Sequence, residues 1–202
     1  MNFFKVIAQG QTYLNILYLL LSYPLGILYF VFLVTGISLG FGLIITIIGI
    51  PILFGILLLW RVFGDFERKL TEIMLNIDIP CKKKKQPKRF WKKIEKILSD
   101  SYTWKSLVYL FIKFPIGIIS FVLLTVCITV PLSLISTPFI FHLFKLGILN
   151  GNLGPFAFMQ TYWFAILIGI IGIFLLFVSL HIFNGLAKVF GLLAKYMLER
   201  KR

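Results

Sequence analysis

Seven carboxylates, two histidines and two cysteines are the groups in this sequence that could do acid–base, metal or thiol chemistry. The carboxylates are Asp65, Glu67, Glu72, Asp78, Glu95, Asp100 and Glu199. All lie in polar stretches, and none falls inside an apolar run long enough to cross a bilayer. Transporters and pumps place ionisable groups inside their spans, so this distribution argues against both. His142 and His181 fall at opposite ends of the predicted membrane segments, too far apart to share a metal. Each reads as an interfacial histidine with a backbone partner, and a titrating switch is the sharper alternative. Cys127 lies in an apolar run, where a free thiol behaves as a small hydrophobe. Cys81 abuts a lysine run and reads as an exposed thiol, with S-acylation as the alternative. No Walker, GxSxG, HExxH or CxxC motif occurs. The expectation is no enzyme, no metal and no cofactor.

The elements that carry these groups are predominantly apolar. Of the 202 residues 59% are hydrophobic and only 14% charged, with a mean hydropathy of +0.97. A soluble domain carries about 25% charged residues. Four runs reach the roughly 20 residues that a spanning helix needs: 16–35, 38–59, 107–130 and 162–183. The first run is too long for a signal peptide and has no A-x-A site, so it is expected to be retained. Only TGISLGFG separates the first two spans, which predicts a tight helical hairpin. The segment after 130 holds three prolines and an NGNLGP turn signal. It reads as an outer loop, short and apolar, with little room for a soluble ligand-binding domain. The predicted fold class is an all-α membrane protein with four transmembrane helices and amphipathic interfacial helices, forming a single domain over 1–202.

The basic residues set the orientation. Of 21, thirteen lie between Arg61 and Lys105 and five follow the fourth span. Lys5 precedes the first span, and Lys113 sits near the start of the third, where it can snorkel. Only Lys145 belongs to the other side. The positive-inside rule then puts both termini and the central connector in the cytoplasm of a multi-pass cell-membrane protein. Within the connector, Lys82, Lys83, Lys84, Lys85, Lys88 and Arg89 precede Phe90 and Trp91. Lysines attract anionic headgroups at about 1 kcal/mol each, and the rings suit the interface. These eight residues read as a lipid-interface anchor, and the net charge of +14 as membrane orientation, not as a nucleic-acid site. Residues 61–77, 88–98 and 183–198 look amphipathic. Phe63, Phe66, Leu70, Ile73 and Ile77 form one stripe; Phe183, Leu186, Phe190, Leu193 and Met197 form another. Lipid-surface packing is the expected use of these faces, with packing on each other or on a partner as the alternative.

The chain also repeats itself. YLLLSYPLGILYFVFLVT (18–35) aligns with YLFIKFPIGIISFVLLTV (109–126), and ERKLTEIML (67–75) with FGLLAKYML (190–198). Pro24 and Gly26 thereby match Pro115 and Gly117. Proline in a span frees a carbonyl, and glycine two residues on permits close approach, so these four read as helix-kink and packing positions. The predicted repeats are about 13–80 and 106–198, joined by the basic connector 81–105. Both begin on the same side, so the repeat is parallel, with an axis along the membrane normal. Small residues suggest further contact lines: Ser38, Gly42, Thr46 and Gly49 on the second span, and Ala165, Gly169, Gly172 and Ser179 on the fourth. Gly36 and Gly40 match GxxxG but fall at the expected turn.

Taken together, YLLLSYPLGILYFVFLVTGISLGFG, IGIPIL, FGDFERKLTEIML, SDSYTWKSLVYLFIKFPIGIISFVLL and SLHIFNGLAKVFGLLAKYML resemble the putative sensor domain of bacterial and archaeal membrane signalling proteins. The likeness covers about 13–198. It implies a four-span sensory module, found as the input end of sensor histidine kinases and as stand-alone proteins. No dimerisation helix, phosphoacceptor histidine or ATP-binding domain follows Arg202 in this sequence, so the expectation is a stand-alone prokaryotic module relaying a membrane or envelope cue. Its expected partners are the anionic bilayer, a separate kinase, regulator or transporter, or a second copy; no nucleic acid is expected. Two alternatives compete: a membrane-shaping hairpin protein, and an accessory subunit of a transporter.

Overall fold

The computed structural model describes residues 9–80, 95, 97–146 and 162–199. They form four helices: α1 (Gly10–Gly42), α2 (Gly49–Leu75), α3 (Ser101–Lys145) and α4 (Tyr162–Leu198). No strand occurs among the described residues. Each helix is long and apolar enough to cross a membrane. Large apolar side chains face outward on all four, among them Phe32, Val62, Val122 and Phe174. Small and polar residues line the interior, including Thr12, Ser22, Thr103, Ser120 and Ala165. That is the arrangement expected when the solvent is lipid: tails compete for the apolar faces, while small residues let backbones approach.

The helix ends differ from the sequence expectation in three places. First, α1 does not stop near residue 35. It runs on to Gly42, and the chain reverses over a 3-10 turn at Ile44–Thr46. Gly36 and Gly40 therefore lie inside α1, where an added Cβ would strike Ile56 and Leu53 of α2. These glycines serve close packing, a use that looks like a turn in sequence. The stripe assigned to the second span is correspondingly divided. Ser38 and Gly42 belong to α1, Thr46 to the turn, and Gly49 opens α2. Gly49 is obligatory for the reversal, because a Cβ there would lie 2.4 Å from the Gly40 carbonyl oxygen. Its amide donates to the Leu43 carbonyl at 2.9 Å.

Second, α3 does not end at 130. It continues through Pro131 and Pro138 to Lys145. Ser133, Ser136 and Thr137 each donate to a carbonyl three or four residues back. The proline-bearing stretch also lies against α4: Cβ atoms built on Gly169 and Gly172 would sit 3.3 Å from Pro138 Cγ and 2.8 Å from Leu134 Cβ. Helix breakers are tolerated in a span when hydroxyls and a neighbouring helix support the opened backbone. The NGNLGP turn lies outside the described residues.

Third, the amphipathic stretches 61–77 and 183–198 are not separate surface helices. They continue α2 and α4 without a break as far as Leu75 and Leu198. In the first, the buried face is Gly64, Glu67, Thr71 and Met74, while Phe66 and Ile73 point outward. In the second, Ala187, Gly191, Ala194 and Leu198 are buried with Phe183. Of the 88–98 stretch, only Glu95, Ile97 and Leu98 are described, and Ile97 is buried.

At the crossing of α1 with α3 the two backbones touch. A Cβ on Gly26 would lie 2.8 Å from the Lys113 carbonyl oxygen, and one on Gly117 would lie 2.5 Å from the Ser22 carbonyl oxygen. The two glycines are 91 residues apart in the chain, and so are Ser22 and Lys113. Ring contacts follow the same offset. Tyr23 stacks on Phe121 at 4.6 Å, and Phe30 stacks on Phe114 at 4.5 Å. Pro24 and Pro115 sit inside their helices just beside this crossing.

Candidate functional site: a buried ion pair in a tyrosine cage

At the crossing, α2 inserts a carboxylate. Glu67 is fully buried, and its partner Lys113, on α3, is 2% exposed. Lys113 Nζ donates to Glu67 Oε1 at 2.5 Å and to the Tyr18 hydroxyl at 3.0 Å. The Tyr18 and Tyr109 hydroxyls donate to the same Oε1 at 3.3 and 3.4 Å. Tyr29 donates to Oε2 at 3.0 Å. Thr71, one turn on from Glu67, lies 3.4 Å from the Tyr18 hydroxyl and donates to the Glu67 backbone carbonyl. Lys113 Nζ also sits over the Tyr18 ring, 4.4 Å from its centroid. Tyrosine faces attract cations, so Tyr18 serves the ammonium with both its oxygen and its ring.

The physics explains why the cage must be complete. Removing two charges from water costs several kcal/mol per ion. Coulomb attraction offsets that cost only when the geometry is close and the remaining lone pairs are bonded. Here both oxygens of Glu67 are served, by one ammonium and three phenols from α1 and α3. Three helices are therefore joined at one charge pair, next to the place where two backbones touch.

The cage is one-sided. In the alignment of the two halves, Ser22 stands where the second half has Lys113, and Phe190 stands where the first has Glu67. A second set of polar contacts ties α2 to the start of α3: Arg61 pairs with Asp100 at 2.6 Å, and Tyr102 donates to Asp65 at 2.7 Å. Arg68 and Glu72 pair along α2.

The residues singled out from sequence fall in several places. Pro24, Gly26, Pro115 and Gly117 come together at the α1–α3 crossing. Gly169 and Gly172 line the α3–α4 contact. Gly49 forms the reversal, whereas Gly42 faces open space. Lys82, Lys83, Lys84, Lys85, Lys88, Arg89, Phe90 and Trp91 lie outside the described residues. His142 is on α3 and His181 on α4, and no group of three or more potential metal ligands occurs among the described residues. Glu67 and Lys113 correct the expectation that ionisable groups stay out of the interior: Glu67 is not a cytoplasmic surface carboxylate, and Lys113 does not snorkel.

A family model described as "Putative sensor" matches residues 18–198. No match was found among curated proteins or among solved structures.

Proposed function

Because the chain belongs to the "Putative sensor" family, we propose that it is a membrane sensor that uses the Glu67–Lys113 pair as its latch. The observation that carries this reading is a fully buried ion pair shared by three helices beside a backbone-to-backbone crossing. A cue that changes helix packing, such as a lipophilic molecule, envelope stress or bilayer tension, must either preserve that pair or break it. Packed interfaces respond by switching between discrete arrangements, not by continuous deformation. The continuous extensions of α2 and α4 would carry the change to a separate protein partner. They meet at Gly191, where an added Cβ would strike Ile77 and Leu75. In this reading the chain is two parallel repeats about an axis along the membrane normal, with both termini and the basic connector in the cytoplasm.

The test is a distance measurement. Spin labels at Ile73→Cys and Tyr196→Cys, both on exposed positions, report the separation of the two extensions in vesicles, with Cys81 and Cys127 replaced by Ser. The expected result is a distance distribution that shifts with bilayer tension or acyl length and becomes insensitive in Glu67→Gln. An unchanged distribution under every cue would sink the latch. Cross-linking in native membranes under envelope stress then tests for the output partner.

A further inference from the structure

A cleft of about 560 Å³ opens between the first turns of α1 and the later part of α4. One wall is a chain of amides. Gln11 donates to Asn15 and to the Met74 carbonyl at the end of α2, Asn15 donates to Asn184, and Asn184 donates to Thr12. The rest of the lining includes Lys188 and the apolar side chains of Leu75, Ile77 and Leu192, with no carboxylate among the described residues. Lys188 has no ion-pair partner among the described residues.

The other half of the molecule shows what usually fills this position. With the alignment offsets of 91 and 123 residues, Gln11 corresponds to Tyr102, Asn184 to Arg61, Gly185 to Val62 and Lys188 to Asp65. At that second place the space is occupied from within. Tyr102 projects its ring and bonds Asp65, Arg61 stacks over that ring at 5.9 Å, and Asp100 neutralises Arg61. In the cleft the ring is replaced by a glutamine and the carboxylate by a lysine, and on its wall Gly185 is open, since an added Cβ there would meet nothing within 4 Å. Among the described residues, an apolar body and a negative charge are missing from one side and present on the other.

We propose that the cleft is a binding site for an anionic amphiphile, a phosphate or carboxylate headgroup on an acyl or similarly apolar body. Lys188 and the Asn184 amide hold the oxygens, and Leu75, Ile77 and Leu192 take the apolar part. Charge-assisted bonds to such oxygens are about twice as strong as neutral ones, and a site mixing an apolar wall with few polar groups is the usual form of a small-ligand pocket. This site stands apart from the Glu67–Lys113 latch and does not require it.

The full chain is placed in nanodiscs of phosphatidylglycerol or of phosphatidylcholine, then released for native mass spectrometry. The expected result is one retained phosphatidylglycerol per chain, with at least tenfold less phosphatidylcholine. Gly185→Leu adds bulk at the cleft wall, where a Cβ meets nothing within 4 Å, and Lys188→Gln removes the cation. Each should cut retention about tenfold while the circular-dichroism melt stays as in the parent. Equal retention of both lipids overturns the proposal, as does undiminished retention in both variants. Inorganic phosphate is titrated calorimetrically into the phosphatidylcholine sample. Absence of binding is expected, and saturable binding lost in Lys188→Gln would reassign the cleft to a soluble anion.

Discussion

Glu67 shows how a single side chain can be misplaced by its neighbours in sequence. It stands among Asp65, Arg68, Lys69 and Glu72, and that company reads as a solvated face. The structure turns it inward because the face Gly64–Glu67–Thr71–Met74 is the one small enough to approach α1 and α3. The stripe of large apolar residues on the same helix points outward. In water the hydrophobic stripe marks the core, whereas in lipid the small and polar stripe does. The signal was present in the spacing of 64, 67 and 71, and in the aligned tyrosines Tyr18 and Tyr109, but hydrophobicity alone ranks it second. Breaking a buried pair by removing one partner typically costs about 3–5 kcal/mol, while replacing both with apolar residues is often neutral. Glu67→Gln and Lys113→Met should therefore each lower stability by about that much in detergent unfolding. The double variant Glu67→Leu with Lys113→Met should recover most of the loss, and no recovery would show that the cage, not the charge, carries the stability.

At the level of the helices, existence was readable and ends were not. Four apolar runs announce four spans, and four helices long and apolar enough to cross a membrane carry them. Hydropathy does not register where a helix reverses, because Leu43–Ile48 is as apolar as what surrounds it. Ile47 even holds a left-handed conformation, with φ 62°, which a β-branched residue rarely adopts. Proline misleads in the opposite direction: Pro131 and Pro138 look like loop signals, yet α4 and three hydroxyls support them inside α3. The glycines separate by what an added methyl would meet. Gly26→Ala and Gly117→Ala force a Cβ against a backbone carbonyl, so overpacking should cost about 1–3 kcal/mol each. Gly55→Ala meets open space and should stabilise α2 by up to about 1 kcal/mol. Thermal melts in one detergent would rank them, and a reversed order would contradict the α1–α3 crossing described above.

For the molecule as a whole, the proposed orientation rests on charge outside the described residues. Lys82–Lys85 carry much of the bias, and replacing all four with Gln should raise the fraction of inverted chains. A reporter fused after Arg202, cytoplasmic in the proposed orientation, should then lose its uniform signal, while helix content by circular dichroism stays constant. No change in the reporter would remove these lysines from the orientation argument. The P-x-G alignment relates the two aromatic stacks and the two glycine contacts by one offset of 91 residues. It does not say which stretch keeps an ion pair and which lines a cleft, since an alignment marks what two segments share and these features lie where they differ.

The unbroken course of α3 has a further consequence. Between Lys113 and His142 lie 28 residues without a charged or imidazole side chain, a stretch of about 42 Å at helical rise. A typical hydrocarbon core is only about 30 Å thick. The helix must lean, bend at its prolines, or draw thicker lipid around itself. Oriented infrared dichroism in bilayers of increasing acyl length should show α3 standing more upright as the membrane thickens, which would make this one helix a gauge of bilayer thickness.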